Sequence, residues 1–265
     1  GINRVVVAMR DPDPRVAGQG LARLAAAGVE VIEGVGEAEA RLLNRAFIHR
    51  LEHGKPLAIL KWAMSLDGRT ALPNGSSQWI SSESARHWVH QLRAQCDAVI
   101  VGGGTLRADN PLLTSRGRRS PEPLRVVLSR ELDVPTTAQL WDQHQAPTLV
   151  AHGPQAPQAA RDQLDALGVE RLELQDPQPA ALLVALAQRG CNQVLWECGP
   201  ELAAAALRQG GVQQIAAVLA PKLLGGLAAR TALGDLGLVD VNQAEPWPQA
   251  RLQQLNGDWL IELMR

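Results

Sequence analysis

Short apolar runs rich in Val and Ile alternate along this chain with stretches whose apolar residues recur every three or four positions, and no other feature restricts its architecture as much. Strands buried on both faces read as continuous apolar runs, and helices between them serve as crossovers in an α/β sheet. The pattern predicts strands over residues 4–9, 29–33, 57–65, 98–102, 124–129, 147–152 and 193–197, with 214–219 and 259–263 as later additions. It predicts helices over 15–27, 37–51, 82–95, 158–167, 179–189 and 200–209. A boundary falls at His53-Gly54-Lys55-Pro56, where Gly ends a helix and Pro prevents its continuation. Residues 1–54 hold two strands and two helices, too little to bury a core alone, so they must dock on the unit formed by 55–265. Residues 142–158 read as a surface loop around one short strand.

Composition narrows the partners. Lys and Arg total 26 against 27 Asp and Glu, so no global field exists to hold a nucleic-acid backbone or an anionic membrane. A small-molecule partner fits better. Three irregularly spaced cysteines make neither a disulfide framework nor a paired zinc knuckle, and a reducing cytoplasm is expected. No apolar run approaches the roughly 18 residues of a membrane span. There is no Tyr to serve as a catalytic acid.

Several residues could carry chemistry. Lys61 lies inside the apolar run 57–64, where an unpartnered ammonium costs several kcal/mol; it either faces a ligand cleft or reaches solvent at the strand end. Glu197 closes the run Val194-Leu195-Trp196 with the opposite charge. Ligands collect beyond the carboxyl ends of strands in open α/β sheets, although the two residues could simply pair with each other. Val101-Gly102-Gly103-Gly104-Thr105 is a strand running into glycines, which allow close approach to a phosphate or merely a tight reversal. The GxGxxG spacing is not met there. Gly199-Pro200-Glu201-Leu202 is a second strand-to-helix turn, and two such turns are better explained by a dinucleotide than either is alone. Arg93 and Arg116, on separate elements, could clamp a phosphate monoester or be solvated surface charges. His49 with His53 and His87 with His90 have helical spacing but no third ligand, so no metal is expected.

Taken together, the segments 60–69 (LKWAMSLDGR), 77–80 (SQWI), 103–114 (GGTLRADNPLLT), 196–200 (WECGP) and 220–226 (APKLLGG) resemble the reductase half of the bifunctional riboflavin-biosynthesis deaminase/reductase. The resemblance implies a dihydrofolate-reductase-like, three-layer α/β/α fold with a mixed, mostly parallel sheet. It implies reduction of the ribosyl group of 5-amino-6-(5-phosphoribosylamino)uracil to the ribitylamino product, with NADPH as cofactor. On that resemblance Lys61, Ser77, Arg93, Leu113, Arg116 and Glu197 surround the substrate, the arginines toward its phosphate. Ala63, Trp79, Thr105, Asp109 and Ser129, with Gly199, Pro200, Glu201, Leu202, Ala203, Ala204 and Ala205, line the NADPH site. Lys61 and Glu197 are the expected catalytic pair. Cys198 departs from the family, where Gly or Ala is commoner.

Residues 4–18 resemble the tail of the deaminase half. Its zinc signature is absent, so no deaminase activity is expected. A start inside that domain implies a truncated chain or a product of a longer gene. The resemblance further implies a homodimer. Two rivals stay open: a reductase of the undeaminated diaminopyrimidinone, and a non-catalytic nucleotide-binding domain that kept the fold without the chemistry.

Overall fold

The computed structural model describes residues 1–265. The first 54 residues form β1 (Arg4–Val7), α1 (Gln19–Ala26), β2 (Glu30–Glu33), α2 (Glu37–Leu43) and α3 (Arg45–His53). β1 and β2 pair in parallel as a two-stranded sheet that shares no strand with the rest. The helix predicted over 37–51 is broken at Asn44, whose side-chain amide donates back to the Ala40 carbonyl at 2.8 Å. The second piece is the one that docks: Ile48 is buried, Arg45 donates to Gln214 Oε1 at 2.7 Å and Arg50 to Asn192 Oδ1 at 2.6 Å. Gly54 ends α3 in the left-handed region at φ 64°, as the Gly-Lys-Pro boundary predicts.

The remaining chain builds β3 (Leu57–Ser65), α4 (Glu83–Ala94), β4 (Ala98–Gly102), α5 (Gly103–Asp109), β5 (Leu124–Leu128), β6 (Thr148–His152), α6 (Gln158–Ala166) and β7 (Glu170–Glu173). It continues through α7 (Pro179–Gln188), β8 (Gln193–Trp196), α8 (Pro200–Arg208), β9 (Gln214–Ala220), β10 (Gln249–Leu255) and β11 (Asp258–Met264). The strands form one nine-stranded sheet in the order β10-β11-β9-β3-β8-β4-β5-β6-β7. Only β10 and β11 run antiparallel to their neighbours, so the sheet is mixed and mostly parallel.

Strand alternation sorts the core into two layers. Leu57, Ile59, Val99, Val101, Val127 and Leu195 face Ala85 and Leu92 of α4, Leu106 of α5 and Leu164 of α6. Ala58, Leu60, Ala98, Ile100, Val126, Val194 and Trp196 face Leu182, Leu183 and Leu186 of α7 and Ala203 and Ala206 of α8. Helices therefore cover both faces in a three-layer α/β/α arrangement. Two helix starts follow directly from the sequence. The Ser82 hydroxyl accepts from the Ala85 amide at 3.2 Å, and α7 and α8 each place Pro in the first turn.

Three elements go beyond the predicted set. β7 and β10 are edge strands whose exposed polar residues hide the apolar alternation. α5 begins inside the glycine run, which reads locally as a turn; burial of Leu106 draws it into helical geometry.

Candidate active site

The cleft exists because β8 is short. β3 pairs with β8 over Leu57–Leu60, and β4 pairs with β8 over Ala98–Ile100. Trp196 is the last residue of β8, and beyond it β3 and β4 are left without a strand between them. Lys61 follows the last β3 residue in register with β8, and Glu197 follows Trp196; both sit at the lip of that gap. Glu197 is held by its amide, which donates to the Ile100 carbonyl at 2.9 Å. A cavity of about 490 Å³ opens here, lined by ten of the expected residues: Lys61, Ala63, Ser77, Thr105, Asp109, Glu197, Gly199, Pro200, Glu201 and Leu202.

At the floor lies a charge network. Lys61 Nζ is 4.0 Å from Glu197 Oε2, with side-chain exposures of 15% and 11%. Arg93 meets the same carboxylate with a two-toothed grip, Nε to Oε1 at 2.6 Å and Nη2 to Oε2 at 3.0 Å, while Nη1 donates to the Thr114 carbonyl at 3.0 Å. Burial pushes the Lys61 ammonium below its ordinary pKa; Glu197 opposes that shift and Arg93 adds to it. Burial alone would raise the Glu197 carboxyl, but the charge and hydrogen bonds of Arg93, with the charge of Lys61, hold it below its ordinary value. A carboxylate fixed as an anion thus lies beside an ammonium that gives up its proton more readily than in water.

The wall holds the two strand-to-helix turns, and they are physically joined. The Gly199 amide donates to Thr105 Oγ1 at 3.0 Å, so the first turn of α8 is pinned to α5. Pro200 has no N–H, which leaves the Glu201 and Leu202 amides as the free donors of that turn. At Gly102 a Cβ would come within 3.2 Å of Leu202 Cδ2, so a larger residue would crowd the junction of the turns. At Gly104, which lines the cavity, a Cβ would meet only Arg107 Nη2, at 3.9 Å. Asp109 lies within 3.5 Å of Ser77 Oγ, and burial raises its pKa against the opposing influence of Ser77 and Arg230.

Other expected residues do not line the cavity. Arg93 was expected to face a phosphate; instead each of its three nitrogens is engaged inside the protein, because the buried Glu197 carboxylate demands a counter-ion. Leu113 is 2% exposed and belongs to the core beneath α5. Arg116 stands exposed on its loop. Trp79 is 62% exposed and carries the Arg86 guanidinium 4.5 Å above its ring. Ser129 is buried behind Gly103. Ala203 and Ala204 point into the core, so the lining part of the second turn stops at Leu202.

Thr70, Ala71, Arg230, Thr231 and Ala232 also line the cavity and were not anticipated. They belong to two irregular segments bridged by Arg69 and Thr231 and by the Thr70 amide donating to the Arg230 carbonyl at 2.8 Å. No periodic pattern marks such straps. Their sequence trace is the motif at 220–226, just upstream. Trp62 Nε1 is a buried donor without a partner beside the same cleft. The histidine pairs lie close, with ring centroids 4.3 Å apart for His49 and His53 and 6.3 Å for His87 and His90; no group of three or more metal-ligating side chains exists in the chain.

Comparison with known proteins agrees with this geometry. A family described as the RibD C-terminal domain matches residues 56–260. The riboflavin biosynthesis protein RibD of Synechocystis sp. is 51% identical over 261 residues, covering 98% of this chain and 71% of that protein. The chloroplastic riboflavin biosynthesis protein PYRR of Arabidopsis thaliana is 37% identical over 98% of this chain, which spans 45% of that relative's length. The solved structure of Acinetobacter baumannii RibD superimposes with a TM-score of 0.86 at 35% identity, covering 99% of this chain and 72% of that one.

Proposed function

The chain belongs to the RibD C-terminal domain family of riboflavin-biosynthesis reductases, and on that premise we propose that its cleft reduces the ribosyl group of 5-amino-6-(5-phosphoribosylamino)uracil with NADPH. The observation that carries this reading is the Arg93–Glu197–Lys61 network at the floor of a cleft walled by two pinned strand-to-helix turns. NADPH, when bound, supplies the hydride that C1 of the ring-opened sugar accepts. The residues present suit it: free first-turn amides on α8 for a phosphate, Asp109 as an acceptor for a ribose hydroxyl, and an open surface at Gly104.

This chain's own groups supply positioning and proton movement. As the bond from C1 to the ring oxygen breaks, that oxygen needs a proton, and Lys61, an ammonium of lowered pKa, donates it. Glu197 stays ionised throughout, accepts a hydrogen bond from a sugar hydroxyl and keeps Lys61 close. Orientation within the cleft contributes the larger share of the rate. Residues 1–54, which precede the family match, have no part in this chemistry. No helix is long and apolar enough to cross a membrane. Three free cysteines support a reducing, cytoplasmic setting. The unpaired outer edge of β10, with Leu252 63% exposed, supports pairing with a second copy.

The test is consumption of reduced nicotinamide with the aminouracil phosphate, run beside its undeaminated counterpart. Oxidation with the aminouracil is the expected result. Preference for the undeaminated pyrimidine would reassign the substrate, and NADPH binding without turnover of either would make this a nucleotide-binding domain only.

A further inference from the structure

We infer that the protein carries a second ligand site, for a small organic phosphate, in the cavity between residues 1–54 and the reductase unit. This cavity, of about 260 Å³, is lined by α2 and α3 on one side and by the first residue of β3, the start of β9 and the end of β11 on the other. The reduction cleft opens at the carboxyl ends of the parallel strands. This cavity lies at the amino ends of β3 and β9, and the two share no lining residue. The second site thus stands apart from the reductase reading.

Its cations come from three separate places: Arg41 on α2, Arg45 on α3, and Arg265 directly after β11. Two of them have acidic partners. Arg41 is 3.6 Å from Glu52 and 4.0 Å from Glu37, and Arg265 is 3.0 Å from Glu245. These side chains are all 43% or more exposed, so their pairs hold little energy and re-form easily. Arg45 differs. It is half-buried and forms no ion pair: Nη2 donates to Gln214 Oε1 at 2.7 Å, and Nη1 reaches only the Met264 sulfur, a weak acceptor, at 3.2 Å. Gln214 is buried, and its amide nitrogen donates to Glu262 Oε1 at 3.2 Å, which fixes its oxygen toward Arg45. A buried side chain therefore holds a guanidinium at a cavity and leaves it without a counter-ion.

A charge drawn out of water without a partner is costly, and an anion entering the cavity supplies that partner. Guanidiniums from three elements around one volume suit a tetrahedral phosphate, whose oxygens accept forked hydrogen bonds from several directions. A carboxylate, with two oxygens in one plane, leaves one of them unused. Ile48, Leu57 and Met264 line the remainder of the cavity, so the phosphate carries an apolar body. Drug-sized ligands occupy about 300–1,000 Å³; the smaller volume here restricts that body to a single ring or a short chain. Such an occupant touches both units at once and fastens α3 to the reductase sheet.

The experiment follows the His49 ring, which lines this cavity, by NMR at fixed pH while phenyl phosphate, inorganic phosphate or benzoate is added. Chloride at equal ionic strength is the control, and His49→Gln identifies the signal. Phenyl phosphate shifts the ring saturably, with a midpoint roughly tenfold below those of inorganic phosphate and benzoate. In Arg45→Gln that midpoint rises roughly 10- to 100-fold, as expected for lost hydrogen bonds between charged groups. Should that variant fail to fold, Arg41→Ala, at an exposed position, decides the matter with a rise of roughly tenfold. A second readout needs no variant: bound phenyl phosphate slows hydrogen exchange of the α3 amides. A shift reproduced by chloride, a midpoint unchanged in the arginine variants, or α3 exchange indifferent to phenyl phosphate would overturn the site, and benzoate binding as tightly as phenyl phosphate would overturn its assignment to a phosphate. None of these readouts uses turnover, so failure of the reductase reading leaves the outcome intact.

Discussion

Replacing Lys61 by Met should make the protein more stable and nearly inactive, and the structure sets both the sign and the size of the gain. The ammonium has one counter-ion, Glu197 Oε2 at 4.0 Å, and that carboxylate is already gripped by Arg93 at 2.6 and 3.0 Å. A pair at 4 Å with an effective dielectric near 20 is worth about 4 kcal/mol, against a desolvation penalty of several kcal/mol and repulsion from Arg93. The lowered pKa shows which side wins: the folded protein disfavours the charged form. Met keeps the stem and its packing while leaving Arg93 and Glu197 paired. Exchanging buried charge for apolar volume can stabilise by 1–4 kcal/mol; with 15% of the side chain still wetted, the lower part of that range applies, about 1–2 kcal/mol.

The pH dependence gives a sharper reading of the same substitution. Because the folded pKa of Lys61 lies below the unfolded value of about 10.4, the unfolded state binds more protons between the two, and wild-type stability rises with pH across that window. The advantage of Lys61→Met is therefore complete below the lowered folded pKa and closes as pH rises from there toward about 10.4. Urea unfolding of both proteins at neutral and alkaline pH measures it, alongside a fall in turnover of about 10²- to 10⁴-fold. A variant less stable than wild type by more than about 1 kcal/mol at pH 7, with an unchanged denaturant slope, would refute the reasoning, since the ammonium would then be stabilising.

Two further perturbations probe the walls of the cleft. Thr105→Val removes the acceptor of the Gly199 amide and should cost about 1–2 kcal/mol in urea melts and weaken NADPH binding by roughly tenfold, with Thr105→Ser restoring both. Asp67 accepts from Ser65 Oγ at 2.6 Å and from the Leu224 and Gly225 amides at 3.1 and 2.7 Å, and the Ser65 hydroxyl, then those amides, hold its pKa down at about 2. Its contribution is present above the unfolded carboxyl value and is lost as pH falls through about 2; Asp67→Asn should therefore speed limited proteolysis within 221–232 at neutral pH, and an unchanged cleavage rate would count against the tether.

What could be read from the residues follows from which physics is local. Central strands such as 57–65 and 98–102 announce themselves because both faces are buried. The charges of Lys61 and Glu197 stand out because the first interrupts such a run and the second closes one. Partnership across distance was not readable: nothing near Arg93 shows that its fork closes on a carboxylate 104 positions later. Edge strands escaped for the opposite reason. Gln249–Leu255 is exposed at every position but the last, so burial leaves no mark on its sequence. The break at Asn44 and the helix inside Gly103–Asp109 were decided by tertiary packing against weak local preference.

The early end of β8 has a consequence for how this protein can change over time. Lys61 and Glu197 are spaced by the rungs of a hydrogen-bonded ladder, so substitutions around them alter chemistry without moving the backbone that presents them. Length is another matter. One residue inserted into 57–60 would rotate Lys61 into the layer now occupied by Leu60 and Trp62, on the far side of the sheet from Arg93. The site is a socket that accepts new side chains and rejects insertions, so inherited diversity in the central strands should be diversity of residue type at constant length, with indels confined to the loops.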